Sequence, residues 1–180
     1  MASGTGSLAA SIFEAHGRGE IEADLVGLLS DKNSPALSLA RDWGVKDFYI
    51  PLGEDRKEWD KRIFDCTKGL DPDLVVSVGF LKILAPDYVS TFPAINTHPS
   101  LLPLYPGAHA VRDALAAGAT ITGTTVHWID SGLDTGPIIS QRRVDILVSD
   151  DESSLHERIK MEERALIVET LAEYGRTGKL

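Results

Sequence analysis

The sequence has 180 residues, of which 43% are hydrophobic and 25% are charged. This length predicts one globular domain over residues 1–180, and the formal net charge of −9 argues against a nucleic-acid partner, because a polyphosphate backbone would repel the chain. No stretch approaches the roughly 18 apolar residues of a membrane helix, the N-terminus lacks the pattern of a secretory signal, and a single cysteine fits a reducing compartment. We therefore expect a cytoplasmic protein without membrane association.

Helix and strand patterns alternate along the chain. The predicted helices span residues 6–17, 34–44, 53–69, 83–92, 109–119 and 149–175. The predicted strands span residues 21–31, 45–51, 71–80, 94–98, 122–130 and 136–146, the last of them as an edge strand. This order predicts an α/β fold, in which a mainly parallel twisted sheet carries helices on both faces. Ligands of such sheets bind beyond the carboxyl ends of the strands.

The segment INTHPSLLPLYPGAH, residues 95–109, gives the strongest indication of chemistry. Asn96 and His98 end a predicted strand and point to the same face, because side chains alternate along a strand. An amide donates hydrogen bonds and an imidazole donates or carries a proton, so the pair could hold a developing oxyanion. A satisfied polar strand end is the alternative. The three prolines that follow favour a rigid site.

Two glycine turns offer further candidates. SGTGS, residues 3–7, precedes a helix and could bind a phosphate on free backbone amides, or could be a plain strand-to-helix turn. In LDTGP, residues 133–137, Asp134 could approach His98 and favour its imidazolium form, or could only form the turn. Sequence alone does not show that Asp134 and His98 meet.

The other candidate side chains favour structural roles. The five histidines show no metal-ligand spacing, and with one cysteine we expect no metal. We interpret His127 as a half-buried strand residue, His109 as a cap or a residue lining the site, and His16 and His156 as surface residues. Cys66 lies in a helical pattern and is expected to be buried and inert.

Four blocks, in the same order, make this sequence resemble the phosphoribosylglycinamide formyltransferases: SGTGS, GFLKILAP, INTHPSLLPLYPGAH and GTTVHWIDSGLDTGP. The similarity covers nearly the whole chain. It implies transfer of the formyl group of 10-formyltetrahydrofolate to the amine of N1-(5-phospho-D-ribosyl)glycinamide, in purine (IMP) biosynthesis. It also implies small-molecule substrates and no metal.

The resemblance assigns roles to individual residues. The catalytic positions that it implies are Asn96, His98 and Asp134. The substrate-binding positions are Gly6, Ser7, Leu8, Lys160 and Glu163. The folate-binding positions are Arg56, Leu81, Lys82, Ile83, Leu84, Asn96, Asp130, Ser131, Gly132, Leu133 and Asp134.

The sequence departs from the family pattern in three places. Leu8 replaces a common asparagine, so we expect one phosphate contact to be lost, and Lys82 replaces a common arginine whose implied contact is through the backbone. Family members carry an apolar strand before SGTGS, so we expect the first strand of the sheet to be missing, and relatives usually continue past Leu180.

Other formyltetrahydrofolate enzymes are the alternatives within this chemistry. A methionyl-tRNA formyltransferase and a formyltetrahydrofolate hydrolase would each be expected to carry a further domain, for which 180 residues leave no room. A non-catalytic folate- or nucleotide-binding module is the alternative of a different class. The residues leave the oligomeric state open, a homodimer included.

Overall fold

The computed structural model describes residues 1–180 as alternating helices and strands. The helices are α1 (Ser7–Gly17), α2 (Pro35–Asp42), α3 (Arg56–Leu70), α4 (Pro86–Thr91), α5 (Ala110–Ala116) and α6 (Glu152–Thr177). The strands are β1 (Leu28–Ser30), β2 (Asp47–Tyr49), β3 (Val75–Ser77), β4 (Ala94–His98), β5 (Ile121–Trp128) and β6 (Ile138–Asp145). No helix combines the length and the hydropathy that a membrane span requires.

The strands form two sheets, in the orders β1-β2 and β3-β4-β5-β6. The pairs β1-β2 and β3-β4 are parallel, as the alternating pattern predicts, whereas β4-β5 and β5-β6 are antiparallel. The α/β fold class is confirmed, and β6 is the edge strand expected from the sequence. Because β5 is antiparallel to β4, its end at Trp128 pairs with Ile95 near the start of β4, and the loop that follows must fold back to reach the candidate site.

Most predicted elements are confirmed, but two strands are shorter than expected. The strand predicted over residues 21–31 is limited to Leu28–Ser30, because its partner β2 begins only at Asp47 and leaves residues 21–27 without a neighbour. The strand predicted over residues 71–80 is limited to Val75–Ser77. Hydrophobic pattern alone therefore overestimated both lengths, since it records burial and not pairing.

The chain start lies between the two sheets. Met1 donates its terminal amine to the Val76 carbonyl at 2.6 Å, and Ala2 donates its backbone N–H to the Leu29 carbonyl at 3.0 Å. These residues contact the edges of both sheets but belong to no strand. An apolar cavity of about 560 Å³ lies at this position.

The main core packs α1, α2 and α6 against the sheets. Its fully buried residues include Ile95 at the centre of β4, Val126 on β5 and Ile167 on α6. The long helix α6 begins at a capping box, in which Asp151 and Ser154 exchange hydrogen bonds between side chain and backbone. This packing fixes β4 and α6, the two elements that contribute most to the cavity described next.

Candidate active site

A cavity of about 460 Å³ opens at the carboxyl ends of β3 and β4. Asn96 and His98 reach it from β4, and Asp134 reaches it from the loop between β5 and β6. The prediction that Asn96 and His98 share a face is confirmed, because both belong to one connected group of polar side chains. The sequence left open whether Asp134 joins them, and the structure places it there.

His98 is 4% exposed and contacts two hydrogen-bond acceptors. Its Nδ1 lies 3.3 Å from Asp134 Oδ2, and its Nε2 lies 2.8 Å from the carbonyl oxygen of Tyr105. A carboxylate and a carbonyl can only accept, so an imidazole satisfies both of them only when both ring nitrogens carry a proton. The surroundings of His98 therefore favour the imidazolium.

Asp134 stays ionised in a partly buried position. Burial opposes its ionisation, but the contact with His127, the backbone N–H of Gly107 at 2.8 Å and the charge of His98 lower the pKa of Asp134 below its ordinary value. Because this pKa is lower in the folded chain than in the unfolded one, the stabilisation is present at neutral pH and is lost as the pH falls through the acid range.

The proline-rich segment after β4 is anchored to the sheet. The hydroxyl of Thr125 donates to the Ser100 carbonyl at 2.7 Å and accepts from the backbone N–H of Leu102 at 3.1 Å. Gln141 on β6 donates to the Leu102 carbonyl at 2.9 Å. These bonds hold the loop so that Tyr105, with a left-handed φ of 54°, turns its carbonyl toward His98.

The glycine-rich turn lies at another part of the cavity wall. Gly6 caps α1 with a φ of 79°, and a side chain there would lie 2.9 Å from the backbone of Ala36, so only glycine fits. No side chain caps α1, which leaves the first backbone N–H groups free for an anion. Lys160, on α6, lines the same cavity and adds a positive charge.

Glu163 is the most unusual ionisable group of the cavity. It is 4% exposed, and burial raises the pKa of Glu163 to about 7, with Thr97 and the cations Lys160 and Arg164 offsetting part of the effect. Thr97, on β4, has a buried hydroxyl and lines the same cavity as Glu163. A ligand that brings hydrogen-bonding groups of its own could contact both side chains.

The cavity collects most of the residues that the sequence predicts for the site. Arg56 and Ser131 are the two that do not line it. Arg56 instead donates to the carbonyl of Ile83 and lies over the ring of Trp59, so it buttresses a cavity segment from outside. The predicted residues that do line the cavity are Gly6, Ser7, Leu8, Leu81, Lys82, Ile83, Leu84, Asn96, His98, Asp130, Gly132, Leu133, Asp134, Lys160 and Glu163.

Two histidines to which the sequence analysis gave structural or surface roles lie at the cavity. His127 is 2% exposed and lies 3.3 Å from the Asn96 amide nitrogen and 3.6 Å from Asp134, in the centre of the polar group. His156 is half-buried and lines the cavity one turn before Lys160, because the spacing of 156, 160 and 163 places all three on one face of α6. This helical spacing can be read from the sequence, and it would have placed His156 beside Lys160 and Glu163.

The raised pKa of Glu163 predicts a pH-dependent cost to stability. At pH 8 the carboxylate is ionised in a buried position, so Glu163→Gln should increase the free energy of unfolding by up to about 3 kcal/mol. At about pH 3.5, where Glu163 is mostly protonated in both the folded and the unfolded chain, the variant and the wild type should unfold alike. Urea unfolding at both pH values measures this difference. Glu162→Gln, an exposed neighbour paired with Arg142, is the control, and a gain independent of pH would contradict the prediction.

Comparison with known proteins gives one consistent family. The formyl transferase family model matches residues 1–171. The phosphoribosylglycinamide formyltransferase of Mycobacterium tuberculosis is 45% identical over 182 aligned residues, which cover 99% of this chain and 84% of the relative. The Escherichia coli enzyme of that name is 33% identical, with 92% of this chain and 81% of the relative covered.

A solved structure agrees with the sequence relatives. Glycinamide ribonucleotide transformylase 1 from Symbiobacterium toebii superimposes with a TM-score of 0.93 at 30% identity, covering 97% of this chain and 85% of that one. The chain therefore belongs to the formyl transferase family and, within it, to the phosphoribosylglycinamide formyltransferases.

Proposed function

We propose that the protein transfers the formyl group of 10-formyltetrahydrofolate to the amine of N1-(5-phospho-D-ribosyl)glycinamide, a step of purine (IMP) biosynthesis. The observation that carries this proposal is the meeting of Asn96, His98 and Asp134 in one cavity, with an anion-binding turn in one wall and apolar side chains in another. The names of the relatives supply the substrate class, and the cavity supplies the groups that the reaction needs.

The nucleotide substrate is proposed to lie along α1 and α6. Its phosphate would accept hydrogen bonds from the backbone N–H groups at Gly6, Ser7 and Leu8, with the Lys160 ammonium nearby. Leu8 can contribute its backbone N–H but no side-chain donor, which supports the expectation of one lost contact. The ribose hydroxyls would contact Glu163.

The folate co-substrate is proposed to bind between two loops. Leu81 and Ile83 on one side, and Leu133 on the other, expose 67%, 57% and 52% of their surface, and an aromatic pterin would cover such apolar groups. Asp130 holds its loop closed by accepting from the backbone N–H of Gly132 and from the hydroxyl of Thr135.

The reaction needs one developing negative charge to be stabilised. The substrate amine attacks the formyl carbon, a C–N bond forms, and the carbonyl oxygen becomes an oxyanion before the bond to N10 of the folate breaks. Asn96 donates an N–H to this oxygen and His98 supplies a positive charge, while Asp134 keeps that charge in place. The proton lost by the amine reaches N10 through His98 or an ordered water molecule.

Direct donation from His98 requires one exchange of partners. Its Nε2 proton is bound to the Tyr105 carbonyl, so the oxyanion must compete with that carbonyl for the proton. An oxyanion is the stronger acceptor, because hydrogen bonds to ionised groups are about twice as strong as neutral ones. His98 would then bind the oxyanion more tightly than the uncharged formyl group, which is what acceleration requires.

We also propose a single domain over residues 1–180 and a cytoplasmic location. The oligomeric state stays open, and a homodimer is one of the alternatives. The reaction as written needs no metal, and no group of three or more His, Cys, Asp or Glu side chains has the arrangement of a metal site.

Formation of tetrahydrofolate tests the proposed reaction directly. With 10-formyltetrahydrofolate and N1-(5-phospho-D-ribosyl)glycinamide together, the protein should release tetrahydrofolate and the formylated amine in equal amounts. Turnover of the folate without the amine would instead indicate a hydrolase. Binding of the folate without any turnover would indicate a non-catalytic module.

Asn96→Ala should lower kcat by roughly 10²–10³, the usual effect of removing an oxyanion donor. Steady-state kinetics with both substrates saturating measures this loss. Asn33→Ala is the matched control, because Asn33 is exposed and does not line the cavity. A decrease of less than about threefold in Asn96→Ala would remove this side chain from the oxyanion site.

Asp134→Asn should reduce activity most on the alkaline side of the pH profile. The carboxylate stabilises a positive charge on the ring and alkaline pH opposes that charge, so the loss at pH 8 should be at least about 10-fold and larger than at pH 6. The pH dependence of kcat measures the effect. Asp113→Asn, a surface aspartate paired with Arg112, should leave the profile unchanged. An Asp134→Asn profile parallel to that of the wild type would exclude this role.

A further inference from the structure

Three polar side chains form a row across the sheet. Ser77 on β3 is the register partner of Asn96 on β4, and Asn96 is the register partner of His127 on β5. Register partners place their side chains on one face, in contact. Ser77 is 3% exposed and His127 is 2% exposed, so the amide of Asn96 is bounded by a buried neighbour on each side.

Both neighbours contact the Asn96 amide. The Ser77 hydroxyl donates to Asn96 Oδ1 at 2.8 Å, and this is its only hydrogen bond. Asn96 Nδ2 lies 3.3 Å from His127 Nε2, while His127 Nδ1 lies 2.9 Å from the carbonyl oxygen of Trp128. A carbonyl only accepts, so Nδ1 carries a proton, and in the neutral ring Nε2 is left to accept from Asn96.

Asp134 competes for the same ring nitrogen of His127. Its Oδ1 lies 3.6 Å from His127 Nε2, which is longer than the 3.3 Å to Asn96 Nδ2. The Asn96 amide nitrogen is thus the nearer of the two neighbours of this ring nitrogen.

We propose that Ser77 is a positioning residue for the catalytic amide of Asn96. In the observed orientation the amide oxygen faces Ser77, and the amide nitrogen keeps one N–H for the cavity. A rotation of the amide by 180° would turn Oδ1 toward the cavity, where it would repel a developing oxyanion. The Ser77 hydroxyl holds the orientation that donates.

The same hydrogen bond also makes Asn96 a better donor. A proton donated to the amide oxygen draws electron density from the nitrogen, and chains of hydrogen bonds strengthen one another in this way. Ser77 therefore acts on the transition state only through Asn96. This inference rests on the proposed function, in which Asn96 stabilises the oxyanion.

Ser77→Ala should lower kcat by roughly 3- to 10-fold, the effect of one neutral hydrogen bond. The KM values for both substrates should stay within about twofold, because Ser77 acts on the orientation of an existing donor. The pH profile should keep its shape, since His98 and Asp134 are untouched. Ser140→Ala, which removes another strand hydroxyl bonded to Thr170, should leave kcat unchanged. Unaltered kcat in Ser77→Ala would overturn the inference.

A double-mutant cycle separates positioning from a structural role. In an Asn96→Ala background, Ser77→Ala should cause no further loss of kcat. An equal loss in both backgrounds would show that Ser77 acts independently of Asn96 and would overturn the inference. Ser77→Cys, of similar volume with a weaker donor, repeats the cycle if the alanine variant does not fold, and the same two outcomes decide.

The two proposals fail in different ways. If the wild-type protein forms no product with the amine substrate, the proposed function fails and the positioning role fails with it. If the wild type turns over and Asn96→Ala is slow while both Ser77 variants match the wild type, only the role of Ser77 fails.

Discussion

The contact between His98 and Asp134 is the interaction on which the site depends. It joins a strand end to a loop that lies 36 positions later in the chain, and this loop leaves β5 beside the start of β4 and folds back to His98. The carboxylate on one ring nitrogen and the Tyr105 carbonyl on the other leave the imidazolium as the form that satisfies both partners. This geometry favours a positive charge beside the place where an oxyanion would form.

The rest of the cavity follows from the arrangement of helices and strands. The glycine turn before α1 offers free backbone donors, α6 contributes Lys160 and Glu163, and the loops after β3 and β5 expose apolar side chains. An anionic group would bind at the first of these surfaces, a hydroxylated group at the second and an aromatic group at the third. The proposed reaction brings two substrates with these three features to a single polar centre.

The sequence predicts what depends on local pattern and misses what depends on pairing. The shared face of Asn96 and His98 follows from strand alternation, and the special turn at Gly6 from its glycine motif. The meeting with Asp134, and the central position of His127, depend on the register between β4 and β5, which no local pattern contains. Ser77 was overlooked for the same reason, because a serine in a buried strand looks like any small core residue.

Glu163 and Arg56 take positions that the patterns of their helices do not show. Glu163 lies on a charged helix, yet the cavity wall buries it, and this burial raises the pKa of Glu163 to about 7. Arg56, expected at the folate, lies outside the cavity and holds the Ile83 carbonyl instead. Both differences arise from the way separate elements close over one another.

Nitrogen NMR of the His98 ring tests the central claim most directly. In protein labelled with ¹⁵N-histidine and free of substrates, the account predicts that both ring nitrogens of His98 carry protons at neutral pH, and that Asp134→Asn converts the ring to a neutral form. A neutral His98 tautomer in the wild-type protein at neutral pH would contradict the account, because no positive charge would then await the oxyanion.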